Sequence, residues 1–129
     1  MKFLRGTLIG LFCLVVGFLL VCQTMPTPAQ GSTPAKGKPA LYDFGRGMCI
    51  PCIEMGKILD SVKGKYGNQI EVRLIMAEHD EGLFKQYKIM LIPTQVFLDA
   101  SGKEVFRHIG LYPEKDLVAK LKELNFIKK

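Results

Sequence analysis

Two cysteines three positions apart are the residues of this chain best placed to do chemistry. They lie in the run Cys49-Ile50-Pro51-Cys52, after an apolar strand-like segment and before a helical pattern. At the start of a helix, unpaired backbone N–H groups and the helix dipole stabilise negative charge on the leading sulfur. Such a setting lowers a cysteine pKa from about 8.5 to roughly 3.5–7.5, and the thiolate is the reactive form. The pair is therefore predicted to be a redox dithiol.

The segments on either side of the cysteines alternate between strand and helix patterns, which predicts an α/β fold. One helix begins at Pro51, since proline suits a first turn, and ends at Gly64 and Gly67. The turn 99–102 closes a hairpin. The predicted order is β-α-β-α-β-β-α, a mixed four-stranded sheet flanked by helices, with the first two strands parallel. The strands are expected at 40–44, 70–76, 94–98 and 103–109, and the later helices at 77–87 and from Pro113.

Two of these helices carry an apolar stripe at helical spacing, which marks the face that packs on the sheet. A domain of roughly 90 residues is small but adequate for a core of its own. The stripe residues are Met55, Ile58, Leu59 and Val62 in the first helix and Leu117, Val118, Leu121 and Leu124 in the last.

The N-terminus has the features of a targeting segment. Two basic residues precede a run, 8–22, that is almost wholly apolar. An apolar stretch of about 15 residues is short for a membrane span and typical of a secretory segment. Three fates are open: cleavage after Ala29, lipidation of Cys22, or an uncleaved anchor over 6–22. Residues 1–22 are therefore expected to be a signal peptide or membrane anchor that places the rest outside the cytoplasm.

Composition divides the remainder into a linker and a domain. Residues 23–38 are dominated by Pro, Gly, Ser and Thr, which predicts a flexible linker, and 39–129 form the domain. The formal net charge is +6, but acidic residues interleave with the basic ones. Because no basic stripe carries aromatic partners, nucleic acid is not an expected ligand. Two cysteines in the domain are too few for a disulfide-stapled mini-protein.

A second motif, Ile92-Pro93-Thr94, stands directly before the predicted hairpin. A strand, then C-x-x-C opening a helix, then this proline resembles the thioredoxin family over residues 39 to about 126. Pro93 follows Cys52 by 41 positions, which matches short thioredoxins, and Asp43 precedes Cys49 by six, where thioredoxins carry a buried acid. The N-terminal strand and helix of thioredoxin are missing, so the resemblance implies a sheet with one fewer strand and an exposed edge.

The resemblance implies a catalytic role for three residues. Cys49 would be the attacking thiolate and Cys52 the resolving thiol that releases the substrate as a dithiol. Asp43, if it points under the helix, would have its pKa raised by burial. It would then take the proton from Cys52 and return it.

The resemblance also implies a substrate-binding surface and residues that tune the redox balance. Pro93 is expected to follow a cis peptide bond, and the backbone at Ile92 would pair with an extended substrate segment. Met48 replaces the usual tryptophan, in a chain with no Trp, and would supply an apolar rim for a peptide. Ile50 and Pro51, with no histidine between the cysteines, favour a reductant over an oxidant.

The combined prediction is an exported, membrane-tethered thiol–disulfide oxidoreductase acting on protein cysteines, in the periplasm or on the outer face of the cytoplasmic membrane. It is expected to act as a monomer and to need no cofactor, because the electrons travel in the cysteine pair. A reductant outside the cytoplasm must be recharged, so a membrane electron-relay protein is an expected partner.

A copper-binding module of the same fold is the alternative interpretation. Two thiolates three positions apart bind a soft ion such as Cu(I), and Met48 is a candidate third ligand. Zinc would require four ligands, and only Cys49 and Cys52 are available in the domain. A metal would protect both thiols from alkylation, whereas an exchange enzyme would cycle them.

Overall fold

The computed structural model describes residues 37–128. The order of elements is β-α-β-α-β-β-α, as predicted. The strands are β1 (Ala40–Gly45), β2 (Glu71–Met76), β3 (Thr94–Leu98) and β4 (Glu104–Ile109), and the helices are α1 (Ile50–Tyr66), α2 (Glu81–Gln86) and α3 (Glu114–Glu123).

The predictions for the N-terminus lie outside the described residues. They are the signal peptide or anchor at 1–22, the cleavage after Ala29, the lipidation of Cys22 and almost all of the 23–38 linker. Within residues 37–128, no helix combines the length and the apolar character needed to cross a membrane.

The four strands form one mixed sheet in the order β2-β1-β3-β4. β1 is parallel to β2 and antiparallel to β3, and β3 is antiparallel to β4. The predicted mixed four-stranded sheet is thus confirmed, and β2 is one of its outer strands. The pairing brings the end of β1 beside the start of β3 and the end of β4, so the connections at these points meet at one end of the sheet.

Alternation along the strands divides the core into two layers. One set of strand residues packs under α1 and α3, and its centre is Phe97, whose ring contacts those of Phe106, Tyr112 and Phe126. The opposite set packs against α2, where Phe44 contacts Phe84 edge to face. Helices therefore cover both faces of the sheet.

The helix α1 packs on the sheet through the apolar stripe that its sequence predicts. Met55, Leu59 and Val62 are buried and Ile58 is partly buried. Cys52 is buried and extends this stripe by one turn toward the N-terminus of α1. The hydrophobic face of α1 therefore fixes the second cysteine against the sheet.

The predicted start of the second helix is wrong by four residues. The strand β2 ends at Met76, and its carbonyl accepts the N–H groups of both His79 and Asp80, at 3.0 and 2.9 Å. These bonds close a turn, so α2 begins only at Glu81. The polar composition of 77–80 fits a turn as well as a helix start, and the local sequence does not separate the two.

Candidate active site

Cys49 and Cys52 are joined by a disulfide at the start of α1, with their Cα atoms 5.2 Å apart. Cys49 caps the helix in an extended conformation, φ −95° and ψ 109°, and its carbonyl accepts the Ile53 N–H at 3.0 Å. Cys49 is partly exposed, whereas Cys52 is 4% exposed. The expected difference in depth between the two cysteines is confirmed.

The N-terminus of α1 favours negative charge on Cys49 once the disulfide is reduced. The first turn contains Pro51 and carries neither an acidic residue nor a side-chain cap. Its free N–H groups and the positive end of the helix dipole therefore remain to stabilise a thiolate. The preceding loop is held by Glu78, which accepts the Gly47 N–H at 3.3 Å and lies 3.8 Å from Arg46.

Gly45, the last residue of β1, allows Cys52 to lie directly against the sheet. A Cβ atom at this glycine would be 3.2 Å from the Cys52 Cβ and 3.5 Å from its Sγ. Cys52 also borders a shallow cleft between α1 and β2 that is lined in part by Gly56 and Leu74. The second cysteine is thus buried against the end of β1.

Asp43 lies two residues before Gly45, on the same face of β1, because strand side chains alternate. Its partners across the sheet are Leu74 on β2 and Gln95 on β3. Asp43 is completely buried, and its Oδ1 accepts a hydrogen bond of 2.7 Å from the Gln95 Nε2. This places the carboxyl on the face of the sheet that α1 covers, which is the condition for its expected role.

The environment of Asp43 favours its protonated form. Burial raises the pKa of this carboxyl to about 6, and the hydrogen bond from Gln95 partly opposes that effect. The other oxygen, Oδ2, has no hydrogen-bond partner within residues 37–128. A carboxyl group that titrates close to neutral pH can both accept and return a proton.

The loop before β3 contains the predicted cis proline. The Ile92–Pro93 peptide bond is cis, Pro93 is buried and Ile92 partly exposed. The Pro93 carbonyl accepts the Gly110 N–H at 2.8 Å, and Gly110 has a φ of +103°. Because Thr94 pairs with Phe44 near the end of β1, this loop and the cysteine loop lie at the same end of the sheet.

This end of the sheet also carries most of the exposed apolar side chains of the domain. Met48 is 94% exposed and Met90 89% exposed, although large apolar side chains of this kind are usually buried. They come from three segments: the cysteine loop with the first residue of α1, the loop before Pro93, and the end of β4 with the residues after it. The set consists of Met48, Ile50, Met90, Leu91, Ile109 and Leu111.

Gln95 is a site residue that no motif in the sequence predicts. It lies in a strand whose other residues are mainly apolar, and its side chain is completely buried. An amide in a buried strand requires a hydrogen-bond partner. That requirement is the sequence signal that could have drawn attention to it beside the predicted buried acid.

Within residues 37–128, no group of three His, Cys, Asp or Glu side chains is arranged to hold a metal ion. Among those residue types, Cys49 and Cys52 would be the ligands left to the copper-binding alternative. His108 is stacked on the Tyr112 ring at 3.9 Å, and His79 is exposed in the turn after β2.

A disulfide of C-x-x-C spacing at a helix N-terminus, on a β-α-β-α-β-β-α sheet, defines a thiol–disulfide oxidoreductase of the thioredoxin-like class. The family model of the thioredoxin-like domain matches residues 28–125. The chain therefore belongs to the thioredoxin-like family, and it is a thiol–disulfide oxidoreductase.

Individual relatives agree with this assignment. The chain is 30% identical to the thioredoxin of Alicyclobacillus acidocaldarius, over 67% of this chain and 82% of that one. It is 29% identical to thioredoxin 2 of Chlorobaculum tepidum, over 67% and 78%. Among solved structures, the germline-specific thioredoxin Deadhead of Drosophila melanogaster superimposes with a TM-score of 0.62 at 30% identity, covering 68% of this chain and 82% of that one.

Proposed function

We propose that the protein reduces disulfides in protein substrates outside the cytoplasm, by exchange at Cys49 and Cys52. The observation that carries this proposal is the asymmetry of the pair. Cys49 is partly exposed at a helix N-terminus, whereas Cys52 is buried against Gly45, and the buried acid Asp43 precedes Gly45 on the same face of β1. One sulfur is thus placed to meet a substrate and the other to act only afterwards.

The reaction has two steps. The Cys49 thiolate attacks one sulfur of the substrate disulfide, a mixed disulfide forms, and the other substrate sulfur leaves as a thiolate. Cys52 then loses its proton and attacks the Cys49 sulfur, which closes the Cys49–Cys52 disulfide and releases the substrate as a dithiol. Two electrons pass from the cysteine pair to the substrate, so the exchange itself requires no cofactor.

Asp43 is the proposed proton acceptor for Cys52. A buried thiol is slow to ionise without a base, because burial disfavours the thiolate. The Asp43 carboxyl, with its pKa raised by burial to about 6, is ionised in most molecules at neutral pH. It therefore accepts the Cys52 proton during the second step and returns it when the disulfide is next reduced.

The exposed apolar end of the sheet is the proposed binding surface for the substrate. Met48 and its apolar neighbours flank Cys49 and would hold side chains next to a cystine, while the backbone at Ile92, beside Pro93, would pair with an extended segment. Methionine suits a surface that binds varied sequences, because it is flexible and polarizable.

The proposed direction, reduction, is supported by the two residues between the cysteines. Ile50 and Pro51 include no histidine that would favour the reduced form of the pair. An extracytoplasmic reductant loses electrons at every turnover, so we propose that a membrane electron-relay protein recharges it.

The location is proposed from the N-terminal sequence, where two basic residues precede the apolar run 8–22. The mass of the protein isolated from the membrane, extracytoplasmic and cytosolic fractions of its native cells tests this. A chain that starts at Gln30, a lipid on Cys22, or an intact N-terminus held in the membrane would each support export. An unmodified full chain in the cytosol would contradict it.

Two assays with the full chain test the proposed direction. We expect it to accelerate the reduction of insulin disulfides by dithiothreitol. We expect little catalysis of disulfide formation in reduced ribonuclease, because a reducing pair is a poor disulfide donor. Strong catalysis of ribonuclease oxidation together with weak insulin reduction would reverse the proposed direction. Failure in both assays would contradict the function.

A further inference from the structure

Gln95 is a polar residue in a buried and otherwise mainly apolar strand. It is completely buried in β3, and Phe97, the next residue on the same face, is at the centre of the hydrophobic layer under α1. An amide placed there without partners loses its bonds to water, whereas a leucine or methionine would pack without that loss. A buried amide at such a position is therefore expected to make a specific interaction that offsets the cost of its burial.

The interaction that Gln95 makes is a hydrogen bond to the buried acid. Its Nε2 donates to the Asp43 Oδ1 at 2.7 Å, and its Oε1 has no partner within residues 37–128. The side chain therefore remains half satisfied, and the bond that it does make ends on the buried acid. Asp43 is likewise held at Oδ1 and left without a partner at Oδ2.

Asp43 and Gln95 lie on the same face of the sheet as the second cysteine. Gly45 lies directly under Cys52, and Asp43 is the preceding residue on that face of β1. Leu74, which pairs with Asp43 across the sheet, lies under Gly56, one turn further along α1. The carboxyl therefore lies beneath the part of α1 that runs from Cys52 to Gly56.

We propose that Gln95 is a positioning residue of the exchange site: its amide holds Oδ1 of Asp43 and so leaves Oδ2 as the atom that exchanges a proton with Cys52. This inference rests on the proposed function. The hydrogen bond from Gln95 holds Oδ1 of the buried carboxyl, and Oδ2 is buried without a hydrogen-bond partner within residues 37–128.

The side-chain amide of Gln95 is the polar group that contacts Asp43 directly. From β2 it faces Leu74, from β3 Gln95, and from α1 Cys52. The titratable groups on the neighbouring elements are His108, which pairs with Gln95 from β4, and Lys57, Asp60 and Arg46, which line the cleft beside Cys52. Burial and the Gln95 hydrogen bond are the influences that set the pKa of Asp43.

Removal of the amide has a defined consequence. The Gln95 hydrogen bond stabilises the Asp43 carboxylate, so its loss favours the protonated acid. A hydrogen bond to a charged group is strong enough to move a pKa by about one to two pH units. The shift is upward, and the pH at which Asp43 becomes able to accept a proton rises with it.

The test is a carboxyl ¹³C titration of Asp43 in the oxidised full chain. Gln95→Met keeps the length of the side chain and removes the donor, and we expect the Asp43 pKa to rise by about one to two pH units. Gln95→Leu provides a second variant. The matched control is Gln86→Met, the same change at an exposed position in α2, which should leave the titration unchanged. An unchanged titration in Gln95→Met would overturn the inference.

A measurement on the wild-type protein covers the case in which neither variant folds. The side-chain amide protons of Gln95 should shift with a midpoint that follows Asp43, near pH 6. An amide signal that does not titrate there would overturn the inference.

A kinetic readout separates positioning from a purely structural role. In Gln95→Met the acid limb of the pH–rate profile for insulin reduction should move upward by the same amount as the Asp43 pKa. A shifted titration with an unmoved acid limb would overturn the link to Cys52. The titrations require no exchange activity, so an inactive protein would refute the proposed function while leaving the Gln95–Asp43 bond intact.

Discussion

Replacement of Cys49 by serine is expected to reduce insulin reduction to the rate of the uncatalysed control. A serine hydroxyl does not ionise near neutral pH, so the first attack on the substrate disulfide has no nucleophile. The buried Cys52 is too enclosed to replace it. The measurement is the initial rate of insulin reduction with dithiothreitol as the electron source.

The same assay with Cys52→Ser should reveal the order of the two steps. Cys49 still attacks, but the mixed disulfide has no internal thiol to resolve it, so covalent enzyme–substrate complexes accumulate and are visible on non-reducing gels. Cys13→Ser is the matched control, because it makes the same chemical change outside the C-x-x-C motif, and it should keep full activity. Full activity in Cys49→Ser would show that the proposed mechanism is wrong.

The oxidised protein is expected to lose a contribution to its folding stability as the pH rises from about 4 to 7, because Asp43 is buried. Asp43→Asn should remove this loss. The pKa of Asp43 is about 6 in the folded chain, against 3.8 for an unperturbed aspartate. The folded state therefore keeps a proton that the unfolded chain has lost. The Asp43 contribution to stability is fully present below about pH 4 and is lost as the pH rises through about 6.

The size of this effect follows from the pKa difference. It corresponds to about 3 kcal/mol at pH 7. Urea unfolding between pH 4 and 8 should therefore show Asp43→Asn to be more stable than wild type at pH 7, with a smaller difference at pH 4. The difference between the two proteins isolates Asp43 from acids such as Asp99 and Glu114, whose lowered pKa values act in the opposite direction.

Asp60→Asn is the matched control for the charge change, because Asp60 is an exposed residue of α1. It should leave the pH dependence of stability as it is in wild type. An Asp43→Asn protein whose stability follows the wild-type curve from pH 4 to 8 would contradict the raised pKa.

The sequence predicts best those elements that begin and end at proline, glycine or turn residues. β3 occupies 94–98, as predicted, because Pro93 precedes it and the turn 99–102 follows. The start of α2 was misplaced, because the turn at 77–80 is fixed by backbone bonds to Met76 rather than by a residue preference. Strand order also depends on pairing between distant segments, which no local pattern encodes.

The residues of the site also fall into two groups, those that a sequence motif predicts and those that depend on the fold. The cysteine pair, the cis proline and the buried Asp43 carry motif spacing that could be recognised in the sequence. Gln95 could not be connected to Asp43 in this way, because their hydrogen bond spans 52 positions and depends on the register between β1 and β3. Likewise, the exposed apolar surface is assembled from three segments, distant in sequence, that only the fold brings to one end of the sheet.

The reduction potential of the Cys49–Cys52 pair is the most direct test of the central claim, that this pair reduces protein disulfides. It is measured on the full chain by equilibration with thiol buffers of known ratio, followed by alkylation of the reduced cysteines. We predict a value near that of thioredoxin, roughly −270 mV. A value near that of the strong oxidants, roughly −120 mV, would contradict the claim and identify the pair as a disulfide donor.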